Sequence, residues 1–159
     1  MTAGATPSQT VGPFFSFGLC VRPQHELVDP GHPLAVRLGG HVYDGAGEPV
    51  PDAMVELWHP PYGWGRSGTD AAGAYGFVTG ALADAAAPYA SLQVFARGLM
   101  RQVHTRVYVA DDPRATSDPL LAALTAEERA ALTGVAAGPG EIRFDIHLQG
   151  EHETVFFDV

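Results

Sequence analysis

From residue 34 onward the chain alternates between short apolar, β-type runs and breaks rich in Gly and Asp. Runs at 34–43 and 53–58 flank Asp44-Gly45-Ala46-Gly47, a turn signal, and Thr69-Asp70-Ala71-Ala72-Gly73 is a second turn leading into 74–78. A third pair of runs, 89–97 and 101–109, sits around Gly98, and a fourth, 141–148 and 153–159, around Gln149-Gly150-Glu151. In 89–97 the alternation is explicit. Ala90, Leu92, Val94 and Ala96 share one face, while Tyr89, Ser91, Gln93 and Arg97 share the other with Phe95. Strands at this spacing predict an all-β fold, an antiparallel β-sandwich over residues 34–159.

Two segments break the pattern. Residues 117–134 read as a short helical insertion. Asp118-Pro119 is a helix start with Pro at its first position, Thr125-Ala-Glu-Glu128 is a capping box, and Gly134 is placed to end the second helix. Residues 1–33 show no period. Pro7, Pro13, Pro23, Pro30 and Pro33 rule out a long helix there, so this stretch predicts an extended N-terminal arm. Phe14, Phe15, Phe17 and Leu19 are too apolar to leave in water, and they predict an arm that lies across a surface, its own or a neighbour's.

Composition narrows the class. The 159 residues fit one domain, and 46% hydrophobic with 17% charged residues is globular rather than disordered. The beginning MTAGATPSQTVGPFFSFGL has no basic region followed by a long apolar run, and no stretch of about 18 apolar residues occurs, so neither a signal peptide nor a membrane span is expected. A single cysteine, Cys20, cannot form an internal disulfide; an inert thiol in a reducing cytoplasm is the expectation. The formal charge of −9 argues against nucleic acid and anionic membranes as partners. All nine basic residues are Arg, the side chain suited to bidentate carboxylate recognition.

The search for self-contained chemistry comes back nearly empty. His25, His32, His41, His59, His104, His147 and His152 include no H-x-H or H-x-x-x-H pair that would present two imidazoles on one strand or helix face. There is no G-x-S-x-G, and Gly63-Trp64-Gly65 opens no helix that could hold a phosphate. Trp58, Tyr62 and Trp64 form an aromatic cluster open to two readings, packing at the end of the sandwich or binding.

Several stretches carry a resemblance. Thr6-Pro-Ser-Gln-Thr-Val-Gly-Pro-Phe14 is similar to the arm of the alpha chains of protocatechuate-cleaving enzymes. Gly40-His-Val-Tyr-Asp-Gly45, Val55-Glu-Leu-Trp58 and Gly65-Arg66 resemble the core of the wider intradiol dioxygenase family. Val94-Phe-Ala-Arg-Gly-Leu99, Thr105-Arg-Val-Tyr108 and the end from Arg143 to Asp158 again look like the alpha type. Iron-bearing chains of that family hold Fe(III) with two tyrosinates and two histidines, the latter as H-x-H on a strand. Here the matching positions are Tyr89 and Ser91, and the loop 79–87 contains no Tyr, so the resemblance implies a chain without a metal site. It further implies an iron-bearing beta subunit as partner, with Fe(III) bound there, and protocatechuate and dioxygen as substrates of the complex. The resemblance carries no catalytic residue into this chain. It implies a contribution to the partner's substrate pocket from Thr10, Gly12, Pro13 and Arg97, against which stand an ordinary loop for the first three and a structural salt bridge for Arg97. The reading from a different class is a non-catalytic, transthyretin-like β-sandwich binding module, since turns such as Asp44-Gly-x-Gly are common to those.

Overall fold

The computed structural model describes residues 6–7, 9–12, 14–82 and 87–158. In chain order the elements are α1 (Phe15–Leu19), β1 (Val36–Tyr43), β2 (Met54–His59), β3 (Gly63–Gly68), β4 (Ala74–Thr79), β5 (Tyr89–Phe95) and β6 (Val103–Val109). There follow a 3-10 turn (Pro113–Ser117), α2 (Pro119–Ala123), α3 (Ala126–Ala131), β7 (Thr133–Gly138), β8 (Glu141–Arg143) and β9 (Ile146–His147). The strands run in the order β3-β2-β5-β6-β7-β8-β1-β4, with β9 beside β1. β3-β2-β5-β6 form one layer and β8-β1-β4 the other, with β7 bridging them.

The core lies between the layers. Leu38, Val42, Tyr75, Phe77 and Ile146 from one side meet Val55, Leu57, Leu92, Val94 and Val107 from the other. Burial of these side chains from water is the main force closing the fold. The alternation expected along β5 holds: Ala90, Leu92, Val94 and Ala96 are at most 1% exposed, and the odd-numbered positions face outward.

Three strand pairs are parallel, β1 with β8, β1 with β9, and β6 with β7, so the sheet is mixed rather than wholly antiparallel. The reason is connectivity. A parallel neighbour needs a long crossover, and the helical insertion between β6 and β7 supplies one. The two Asp turns use the same device: Asp44 Oδ1 accepts from the backbone N–H groups of Ala46 and Glu48, and Asp70 Oδ1 from those of Ala72 and Ala74, each at 2.9 Å. The first turn joins strands in opposite layers, because β1 pairs with β4 and not with β2. The turn around Gly98, whose φ of +89° a side chain would resist, does join directly paired strands, β5 and β6.

The insertion keeps its predicted caps. Asp118 accepts from Leu120 N with Pro119 at the first helical position, and Thr125 and Glu128 exchange both capping-box bonds. Gly134, however, does not end the second helix. That helix stops at Ala131, and Gly134 is buried in β7, where a Cβ would strike Ile142 and Val107. The 141–148 run is split into β8 and β9, because the Asp145 carboxylate takes the N–H of His41 at 3.0 Å in place of a ladder bond. Residues 153–158 form no strand beyond a single bridge from Phe157 to His104. β3 and β7 lie where no strand was expected. The N-terminal stretch includes one helical turn, α1, too short to conflict with its prolines. Past it, the backbone is fastened to the sheet. Arg66 N donates to Gln24 O at 2.9 Å, Val78 N to His25 O at 2.8 Å, and Leu27 N to Val78 O at 2.7 Å.

Candidate functional site

The outward face of β3-β2-β5-β6 carries both tryptophans together with Glu56, Arg66 and Arg106. Register sets the rows: Trp64, Trp58, Ser91 and Arg106 are successive cross-strand neighbours, as are Arg66, Glu56, Gln93 and His104. Trp58 and Trp64 are 53% and 41% exposed, so the aromatic cluster is not packed away at a sandwich end. Tyr62 lies over the ring of His59, with centroids 5.2 Å apart. Arg66 is the hinge pin of this face. It donates to Glu56 Oε1 from Nε and Nη2 (2.9 and 2.5 Å), stacks over Trp64, and reaches the Leu19 carbonyl at 3.1 Å. One side chain thus ties the end of α1 to the sheet.

The arm buries Phe15 but leaves most of its other apolar groups in water. Phe14 and Phe17 are 75% and 78% exposed, and Val11, Leu19 and Val21 are exposed as well. Thr10 is exposed and its hydroxyl accepts from Gly12 N at 3.3 Å; Gly12 has a positive φ of +77°. Pro13 lies outside the described residues. Arg97 is exposed just past β5, on the outward side, and forms an ion pair with Asp52. No hydrogen bond or ion pair joins Thr10 or Gly12 to Arg97 among the described residues.

At the far edge of the face the residues do not fit a trivalent metal. The Arg106 guanidinium sits 4.0 Å above the ring of Tyr89, opposite Ser91 in register, and would repel a cation there. Tyr108 is held as a neutral phenol. Burial pushes its pKa up to about 12 against the pull of Arg106, and its hydroxyl donates to Asp118 Oδ2 at 3.1 Å. Among the described residues no group of three or more His, Cys, Asp or Glu is placed to hold a metal ion. His41, Tyr43 and His147 are stacked on one another, an arrangement of ring contact rather than of lone pairs converging on a point. The arrangement can anchor a neighbour and present an arginine.

Sequence reasoning missed the Arg66–Glu56 tie and the cover that Arg106 gives Tyr89. Parity offers the signal for both, since each partner sits on the outward set of its strand, but register between strands is needed to pair them.

No family model matches the chain. Among curated proteins it is similar to the protocatechuate 3,4-dioxygenase alpha chain of Burkholderia cepacia, 37% identical and covering 99% of both chains. The protocatechuate 3,4-dioxygenase alpha chain of Pseudomonas putida is 32% identical over 96% of both. Among solved structures, the dioxygenase domain of a dioxygenase carbohydrate-binding protein fusion from Streptomyces sp. SirexAA-E matches with a TM-score of 0.62 and 25% identity, covering 92% of this chain and 99% of that one. Catechol 1,2-dioxygenase from Acinetobacter sp. ADP1 shares the fold at a TM-score of 0.58 and 21% identity, over 79% of this chain and 56% of that one.

Proposed function

The chain belongs to the family of protocatechuate 3,4-dioxygenase alpha chains, and from that premise we propose that it is the non-iron subunit of an enzyme that opens protocatechuate. The complex cleaves the ring between the two hydroxyl-bearing carbons, incorporates both atoms of dioxygen, and releases 3-carboxy-cis,cis-muconate. The iron is carried by a beta chain, and this chain works in the cytoplasm as its structural and pocket-forming partner. No step of the reaction runs through a metal held here.

The observation that supports this most is a paired surplus and deficit. Among the described residues no donor set for a metal is assembled, and Arg106 lies over Tyr89, yet Phe14 and Phe17 of the arm are exposed as a surface suited to a neighbour. Thr10, Gly12 and Pro13 would contribute to the neighbour's pocket. The Gly12 backbone can approach a flat ring, and the Thr10 hydroxyl can donate or accept. Arg97 would meet the substrate carboxylate, exchanging its partner Asp52 for the ligand. That exchange is inexpensive, because an exposed ion pair contributes at most about 1 kcal/mol.

Co-expression with the sister chain tests the reading. Copurification of an iron-bearing beta chain in fixed ratio, with turnover of protocatechuate only when both are present, is the expected result. A chain that stays alone, with no sister chain copurifying, would favour the β-sandwich binding module instead.

A further inference from the structure

Arginine bookkeeping singles out a second region. Of the nine arginines, Arg66, Arg97, Arg101, Arg106, Arg114 and Arg143 pair with carboxylates. Arg129 donates to the carbonyls of Leu121 and Leu124. Arg22 and Arg37 have no side-chain partner among the described residues, and both are exposed. These two line the same groove, about 680 Å³ in volume, between residues 20–30 and strands β1, β3 and β4. Arg66 reaches it too, but Glu56 offsets its charge. Glu26 is the one carboxylate on the walls. In a chain of net charge −9, a groove that sets the unpaired Arg22 and Arg37 against the single carboxylate of Glu26 is locally positive, and such a site attracts anions.

The groove is built before any ligand arrives. Its outer wall is held by the backbone bonds of Gln24, His25 and Leu27 to β3 and β4, so little ordering is left to oppose binding. Its floor is backbone: Gly39, Gly68 and Gly76 line it, and above Gly76 a Cβ would meet nothing within 4 Å. Arg22 stands on the outer wall and Arg37 on β1, and each presents a planar fork matched to a carboxylate.

We propose that this groove binds a small organic polycarboxylate, with one carboxylate on Arg22 and another on Arg37. Neither Thr10 nor Arg97 lines it, so it is separate from the pocket contribution described above and does not depend on the dioxygenase reading.

Calorimetric titration of the full chain, alone and together with the sister chain, tests this with citrate, 3-carboxy-cis,cis-muconate and, as a monocarboxylate, benzoate. Saturable binding of the two tricarboxylates is expected, with benzoate much weaker. Arg22→Ala and Arg37→Ala should each raise Kd about tenfold. Both side chains are exposed, so both variants should melt like the parent. Arg101→Ala removes the same charge outside the groove and should leave binding unchanged. Equal weakening by Arg101→Ala, unchanged binding in both groove variants, or no saturation at millimolar concentrations would overturn the proposal. So would tricarboxylate binding left intact in variants that no longer assemble with the sister chain, since the groove would then be a protein contact.

Discussion

Arg97 leaves β5 on the outward side because the strand's parity gives its even positions to the core. A charge-assisted bond to a substrate carboxylate is worth about 1.5–3 kcal/mol, more than the exposed pair with Asp52 that it would replace. Arg97→Ala in the assembled enzyme should therefore raise KM for protocatechuate about ten- to a hundredfold. Catechol, which lacks the carboxylate, should be turned over as before. Equal losses for both substrates would assign Arg97 to holding the interface. At the other extreme of burial, His59 is 0% exposed, with Nδ1 2.8 Å from Thr79 Oγ1 and Nε2 unpartnered among the described residues. Burial pushes its pKa down from 6.5 to about 4. As pH falls from 6.5 towards 4, the unfolded chain takes up a proton that the folded chain refuses, so stability drops through that window and levels off below it. The total is about 3 kcal/mol. Denaturant melts from pH 7 to 4 should show this slope in the parent, and His59→Asn should flatten it; an unchanged slope would place the acid sensitivity elsewhere.

Among the elements, the arm makes the sharpest case. It is fastened at Gln24, His25 and Leu27 and again through Arg66 to Leu19, while Phe14 and Phe17 stay open to water. Deleting residues 1–13 should leave the melting temperature of the chain nearly unchanged but weaken assembly or raise KM for protocatechuate. A truncated chain that assembled and turned over normally would remove the arm from the pocket. The elements differ in how openly the sequence announces them. The caps at Asp118 and Thr125 are legible because every partner lies within a few residues. β5 is legible because its alternation is complete. β3, Gly-Trp-Gly-Arg-Ser-Gly, and β7, Thr-Gly-Val-Ala-Ala-Gly, are not, since their extended form is imposed by neighbouring strands rather than by their own side chains. The candidate site is half-legible for the same reason. Which side Arg97 takes follows from local parity, whereas Asp52 as its partner and Arg106 over Tyr89 depend on which strands become neighbours.

Taken whole, the molecule is an intradiol-type sandwich whose outward β3-β2-β5-β6 face carries Arg66, Arg106 and two indoles. Arg106 is held there by Tyr108, Asp118 and the rings of Tyr89 and Phe157, so its charge is built into the face and is not a passing contact. In the proposed function such a chain takes part in catalysis through a neighbour, and that division of labour between two chains is the central claim. Metal analysis of the chain expressed alone, beside the copurified complex, tests it most directly. Alone, the chain should carry no stoichiometric iron, show no tyrosinate-to-iron absorption and cleave no catechol, while the complex carries iron in proportion to its beta chain. One tightly held iron per chain in the isolated protein, with that absorption present, would contradict the account.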